Sequence, residues 1–144
     1  MSQNPHVMIV NARFYDDIAD HLLAGAKQVL ETEGVSFDVF EVPGALEIPA
    51  VIKMGEKSGK YDGYISLGCV IRGETYHFEI VCNESARALT DLAVHEDLFI
   101  GNGILTCENR TQAVVRADPQ QKNKGAAAAK AVLALLALEQ EIAE

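Results

Sequence analysis

"SLGCVIRGETYHFEIV" (Ser66–Val81) joins two incompatible halves without a linker. Its first part is an apolar run of the kind that makes a buried strand. The second, "RGETYHF", crowds Arg72, Glu74, Thr75 and His77 into a few residues that no core accommodates. A strand that stops at "RGET" and turns into a helix near His77 presents free backbone N–H groups at the helix N-terminus. Gly73 permits close backbone approach and Thr75 adds a hydroxyl, which together make an anion site with phosphate as the natural occupant. His77 brings an imidazole, a group that exchanges protons near neutral pH. An anion cradle beside a proton shuttle suits chemistry on a phosphorylated small molecule. Ordinary helix capping beside a surface histidine has the same spacing, and both readings stand at this point.

Outward from this stretch the chain alternates short strands with helices. "HVMIV" (His6–Val10) is a first strand, and from Ile18 onward Leu22, Ala26, Val29 and Leu30 recur at helical spacing until Gly34. "SFDVFEV" (Ser36–Val42) is a second strand closed by "PG", followed by a helix over roughly Ala45 to Lys57 with Pro49 in its first turn. "YDGYISLGCVI" is the third strand, and the next helix runs from near His77 towards His95. "LFIGNGILT" is the fourth strand, weakened by Gly101 and Gly103. A polar segment, "CENRTQAVVRADPQQKNKG", then leads to a last helix, "AAAAKAVLALLALEQEIA". The pattern predicts a single α/β domain over residues 1–144 around a four-stranded parallel sheet. The last helix is apolar nearly all round and needs cover on more than one face, so a homo-oligomer is expected.

Composition narrows the classes. Hydrophobic residues make up 49% and charged residues 23%, as in an ordinary globular domain. The net charge of −9 argues against a general nucleic-acid surface, which needs excess Lys and Arg, but leaves room for a small anion held by a few local cations. "MSQNPHVMIV" does not look like a signal peptide, and no apolar run approaches the roughly 20 residues of a membrane span. A soluble cytoplasmic protein with no membrane partner is expected. Cys69, Cys82 and Cys107 read as reduced structural thiols, and no His/Cys/carboxylate spacing suggests a metal site.

In open α/β sheets ligands bind beyond the carboxyl ends of the strands. That rule selects "NARFY", "PGALE", "GCVIRGETYH" and "GILTCEN". Phe14 and Tyr15 suit either stacking on a flat ring or the core. Glu47, between Leu46 and Ile48, suits either a ligand contact or the charge of a helix N-terminus. His6, His21 and His95 have no partner pattern. Arg116, Lys122 and Lys124 are surface cations by default, though Arg offers a bidentate fork to a phosphate.

Taken together, "NARFYDDIADHLLAGA", "VPGALEIP", "YDGYISLGCVIRGETYHFEIV", "GILT" and "RADPQQKNKG" resemble the 6,7-dimethyl-8-ribityllumazine synthase family over essentially the whole length. The resemblance implies a flavodoxin-like three-layer α/β sandwich assembled into pentamers, with active sites between subunits. It implies two small-molecule substrates, 5-amino-6-(D-ribitylamino)uracil and 3,4-dihydroxy-2-butanone 4-phosphate, and no metal or organic cofactor. Carried onto this chain, Phe14 stacks on the pyrimidine, and Ala45 and Glu47 hold the ribityl chain. Cys69, Val70 and Ile71 offer main-chain contacts to the heterocycle. Gly73, Glu74 and Thr75 form the phosphate cradle, and His77 transfers protons. From the neighbouring subunit, Arg116 binds the phosphate and Lys124 approaches the other substrate. One departure stands out: Asn102 occupies a place where many members carry an aromatic, and if that place lines the neighbour's site, apolar area is lost there. Two rivals follow from the same fold, a flavin- or lumazine-binding carrier without turnover and the archaeal type of riboflavin synthase. Whether pentamers stay free, pair or form a shell is open.

Overall fold

Strand β1 (His6–Ala12) is buried on both faces from Val7 onward, which is why its sequence is nearly continuously apolar rather than alternating. The computed structural model describes residues 4–144. The signal-peptide reading begins on residues 1–3, which lie outside the described residues. β2 (Ser36–Val42) and β3 (Gly63–Ile71) pair with β1 on either side, and β4 (Ile100–Cys107) pairs with β3. All pairings are parallel and the order is β2-β1-β3-β4. The order reverses between β1 and β3, which puts the topological switch point beside the end of β3. The expected three-layer sandwich is what forms.

The two faces are filled by different helices. Odd-numbered β1 residues Val7 and Ile9 join Ile65 and Leu67 of β3 beneath α1 (Asp16–Thr32), α4 (Arg110–Ala117) and α5 (Lys124–Ala143). Even-numbered Met8 and Val10 join Tyr64 beneath α2 (Ile48–Ser58) and α3 (His77–His95). This odd/even division follows from the period of two along a strand.

Three elements depart from the sequence reading. The second helix starts with a separate 3₁₀ turn, Ala45–Glu47, before α2, and Pro49 sits in the first turn of α2. The polar segment is not a loop throughout, because α4 forms inside it. Asn109 caps α4 by accepting from the Gln112 N–H at 2.9 Å, while only Ala113 and Ala117 are buried. Gly101 does not weaken β4 so much as admit α5: a Cβ there would lie 2.0 Å from the Ala128 carbonyl oxygen. A backbone atom cannot yield as a side-chain tip does. Gly101→Ala is therefore expected to destabilise the fold by about 1–3 kcal/mol, read as a lower urea midpoint with unchanged slope. An unchanged midpoint would refute the close approach.

On α5, Ala128, Val132 and Leu136 lie against glycines of β3 and β4, and Ala126 lies against Gly25 of α1. Leu138 remains 49% exposed and Ile142 81% exposed. His6, given no role from sequence, ties the far end of the sheet together. Its ring nitrogens meet Ser36 Oγ at 2.8 Å and Asp38 Oδ2 at 3.0 Å, and it stacks on Tyr61 with ring centroids 5.1 Å apart.

Candidate active site

The carboxyl ends of β1, β2 and β3 open onto a cavity of about 440 Å³, within the range of small-molecule sites. Each wall comes from a different strand end. After β1, Phe14 projects with 72% of its surface exposed, held edge-on against Tyr15 at 4.9 Å between centroids. Its neighbour Arg13 fixes this loop: Nε meets Asp16 at 3.1 Å and Glu41 at 2.9 Å, and Nη2 meets Asp20 at 2.8 Å. The Arg13 N–H also donates to the Val42 carbonyl at 2.9 Å. A ring this exposed on a loop this constrained is suited to meet a flat ligand.

After β2, Pro43, Gly44, Ala45, Leu46 and Glu47 form the second wall. Glu47 Oε1 accepts from the Gly44 N–H at 3.0 Å, which is the helix-start role weighed for it from sequence. That bond engages one oxygen of a carboxylate that also borders the cavity.

At the end of β3, Cys69, Val70 and Ile71 line the cavity. The Cys69 thiol sits in the core with Cys107, and burial followed by that neighbour pushes it up to about 12. Cys69 is therefore a neutral thiol near pH 7, and it contributes no thiolate nucleophile. Alkylation of the native protein at pH 7 is expected to leave Cys69 unmodified by mass spectrometry; prompt carboxymethylation would contradict this assignment.

The "RGETYH" turn and the start of α3 complete the cavity through Gly73, Thr75, His77, Phe78 and Val81. Gly73 faces open space, with nothing within 4 Å of a Cβ built there. Thr75 Oγ1 accepts from the His77 N–H at 3.3 Å, which leaves its own proton for another acceptor. The hydroxyl thus engages one free N–H at the start of α3, whose N-cap residue Tyr76 makes no side-chain cap bond, while Thr75 also borders the cavity. Phe78 and Val81 were not among the residues expected here. Val81, four residues after His77 on a helix, was legible from spacing.

The remaining expected residues lie elsewhere on this chain. Glu74 sits in the turn but does not line the cavity. Asn102 lies within β4, opposite Ser66. Its Oδ1 accepts from Ser66 Oγ at 3.2 Å and from the Ile104 N–H at 2.9 Å. Lys124 opens α5, and Arg116 lies in the last turn of α4, where its Nη1 donates to the Gln112 carbonyl at 3.1 Å. The arginines divide informatively. Of the five in the sequence, Arg13, Arg72, Arg87 and Arg110 each pair with carboxylates. Among the described residues Arg116 pairs with none. Also among the described residues, no cluster of three or more His, Cys, Asp or Glu is arranged to hold a metal, and no helix is long and apolar enough to cross a membrane.

The parallel sheet in the order β2-β1-β3-β4 between helix layers makes this a flavodoxin-like α/β protein, and an exposed aromatic, a carboxylate, a helix N-terminus and an imidazole converge at its strand ends. The sequence matches the model of the family described as 6,7-dimethyl-8-ribityllumazine synthase over residues 4–140. A 6,7-dimethyl-8-ribityllumazine synthase of Bartonella bacilliformis is 59% identical over 143 residues, covering 98% of this chain and 94% of that protein. The protein of the same name from Agrobacterium fabrum is 57% identical, covering 96% of this chain and 97% of its own. One from Novosphingobium aromaticivorans is 59% identical, covering 92% and 95%. The chain belongs to the 6,7-dimethyl-8-ribityllumazine synthase family.

Proposed function

We propose that this chain, acting as one domain, condenses 5-amino-6-(D-ribitylamino)uracil with 3,4-dihydroxy-2-butanone 4-phosphate. The products are 6,7-dimethyl-8-ribityllumazine, phosphate and water, the penultimate step of riboflavin biosynthesis. Family membership supports the reaction, small-molecule substrates and assembly with copies of itself. One observation carries the site: Phe14, Glu47, Gly73, Thr75 and His77 border one cavity of about 440 Å³.

In this reading Phe14 stacks on the pyrimidine. Ala45 and Glu47 hold the ribityl chain, and the main chain at Cys69, Val70 and Ile71 meets the heterocycle. Gly73, Glu74 and Thr75 cradle the phosphate, where the N-terminus of α3 favours negative charge. Arg116, Lys124 and Asn102 reach the cavity from a neighbouring subunit, and the pentamer is the unit. The absence of Arg116 and Lys124 from their own chain's cavity fits that arrangement. A cytoplasmic location fits the three free thiols.

The chemistry requires few groups. The amine attacks the ketone, and His77 delivers a proton to the departing hydroxyl as the imine forms. Elimination of phosphate then needs a carbon-bound proton removed, which neutral His77 accepts. The cradle stabilises charge on the leaving phosphate, and the ribitylamino nitrogen then attacks the ketone so formed, closing the second ring with loss of another water. Both substrates are reactive, so holding them together supplies much of the acceleration.

The test is absorbance in the lumazine band after mixing protein with both substrates, with the uncatalysed rate subtracted. Saturable formation above background supports the synthase. Tight lumazine or riboflavin binding with no added rate would replace it with a carrier.

A further inference from the structure

We propose that Arg72 is a positioning residue for the phosphate cradle, clamping the Gly73–Thr75 turn between β3, β4 and α3. The proposal rests on the reading that this turn holds phosphate. Arg72 is the last residue before the turn, and its N–H donates to the Cys107 carbonyl at 2.9 Å, which pins the main chain to the end of β4. Its Nε meets Glu108 just beyond β4 at 2.8 Å, and its Nη1 meets Glu79 in the first turn of α3. The guanidinium also lies over the Phe78 ring, 4.4 Å from the centroid, and Phe78 lines the cavity. One side chain therefore fixes both ends of the turn and one wall of the site.

Charge separates this role from direct phosphate binding. The guanidinium faces two carboxylates, so the cluster sums to −1 even before Glu74, on the turn itself, is counted. A cation so neutralised adds little attraction for an anion nearby. What it supplies is shape: a planar fork able to engage two carboxylates and stack on a ring at the same time. Lys has the charge without the fork. The side chain is 40% exposed, and ion pairs that open to solvent contribute little to global stability, so variants should fold.

The experiment compares Arg72→Lys, Arg72→Met, Glu108→Gln and Thr75→Ala with wild type in the two-substrate assay. Inorganic phosphate serves as a competitive probe, and a thermal melt accompanies each variant. Both Arg72 variants are expected to raise the KM for the butanone phosphate and the inhibition constant of phosphate by about tenfold. That is below the roughly hundredfold cost of a misplacement of about 1 Å. The KM for the ribitylaminouracil should stay within about twofold, and Glu108→Gln should weaken phosphate in the same sense as Arg72→Met. Three results overturn the proposal: Lys restoring wild-type phosphate constants, Glu108→Gln tightening phosphate because a masked cation is released, or both KM values moving together with the melting temperature. Thr75→Ala with an unchanged phosphate constant would instead overturn the cradle on which the proposal rests.

Discussion

Arg116→Ala is expected to raise the KM for the butanone phosphate about a hundredfold, with the KM for the ribitylaminouracil within about twofold of wild type. The proposed phosphate site is short of positive charge. On one chain the turn and its neighbours carry Glu74, Glu79 and Glu108 against a single Arg72, and that arginine is already committed. Backbone N–H groups at the start of α3 offer directional bonds but only a fraction of a unit charge. A phosphate bearing nearly two negative charges needs a further cation. Arg116 is the arginine without a carboxylate partner among the described residues, and a guanidinium left unneutralised in a chain of net charge −9 calls for an explanation. Charge-assisted bonds contribute about 1.5–3 kcal/mol. Losing a bidentate pair near the upper end of that range corresponds to about a hundredfold.

A structural explanation competes, since a cation in the last turn of α4 also complements the helix dipole. The two separate cleanly. A dipole role costs about 2 kcal/mol of stability or less in Arg116→Ala, is rescued by Arg116→Lys, and leaves kinetics untouched. A phosphate role raises the KM for one substrate only, and Lys, lacking the fork, restores it in part. Equal KM values in wild type and Arg116→Ala would remove Arg116 from the site.

How much of this was legible in the sequence depends on the range of the interaction. The strands and large helices were legible because their apolar residues repeat locally, and α3 starts at His77 as the break in "RGETYH" implied. Helix α4 was not, because its buried face is two alanines four apart, too little apolar surface to register against Arg110, Thr111 and Gln112. The strand-end rule found most of the cavity. It could not find Arg72's role, which depends on Glu108, 36 residues away and adjacent only because β3 and β4 pair. Glu47 stood undecided until its 3.0 Å bond to the Gly44 N–H showed one oxygen engaged. For Asn102 the sequence offered only a departure from a pattern. Asn102 is exposed on β4, and its carbonyl oxygen is engaged within the strand pair by Ser66 and the Ile104 N–H.

His77→Ala is expected to slow turnover about a hundredfold without abolishing it, and to leave both KM values within about threefold of wild type. Positioned acid–base groups contribute roughly 10²–10⁴-fold. The lower end applies because the amine and ketone of the proposed reaction are already disposed to react. Its geometry fits a group that shuttles protons rather than one that binds: it opens α3 at the cavity rim, with its N–H bonded to Thr75 Oγ1 at 3.3 Å, and its ring is exposed. The rate that survives its removal should come from orientation by Phe14, the Ala45–Glu47 turn and the phosphate cradle. A proton-transfer role has a signature that lost packing does not, namely partial recovery of kcat by added imidazole. His77→Gln, which keeps a hydrogen-bonding group but cannot exchange protons near neutrality, should be as slow as His77→Ala. A variant with no rate above background that still binds both substrates normally would mean that the imidazole performs chemistry no other group can replace. A variant as fast as wild type would mean that positioning alone drives the condensation.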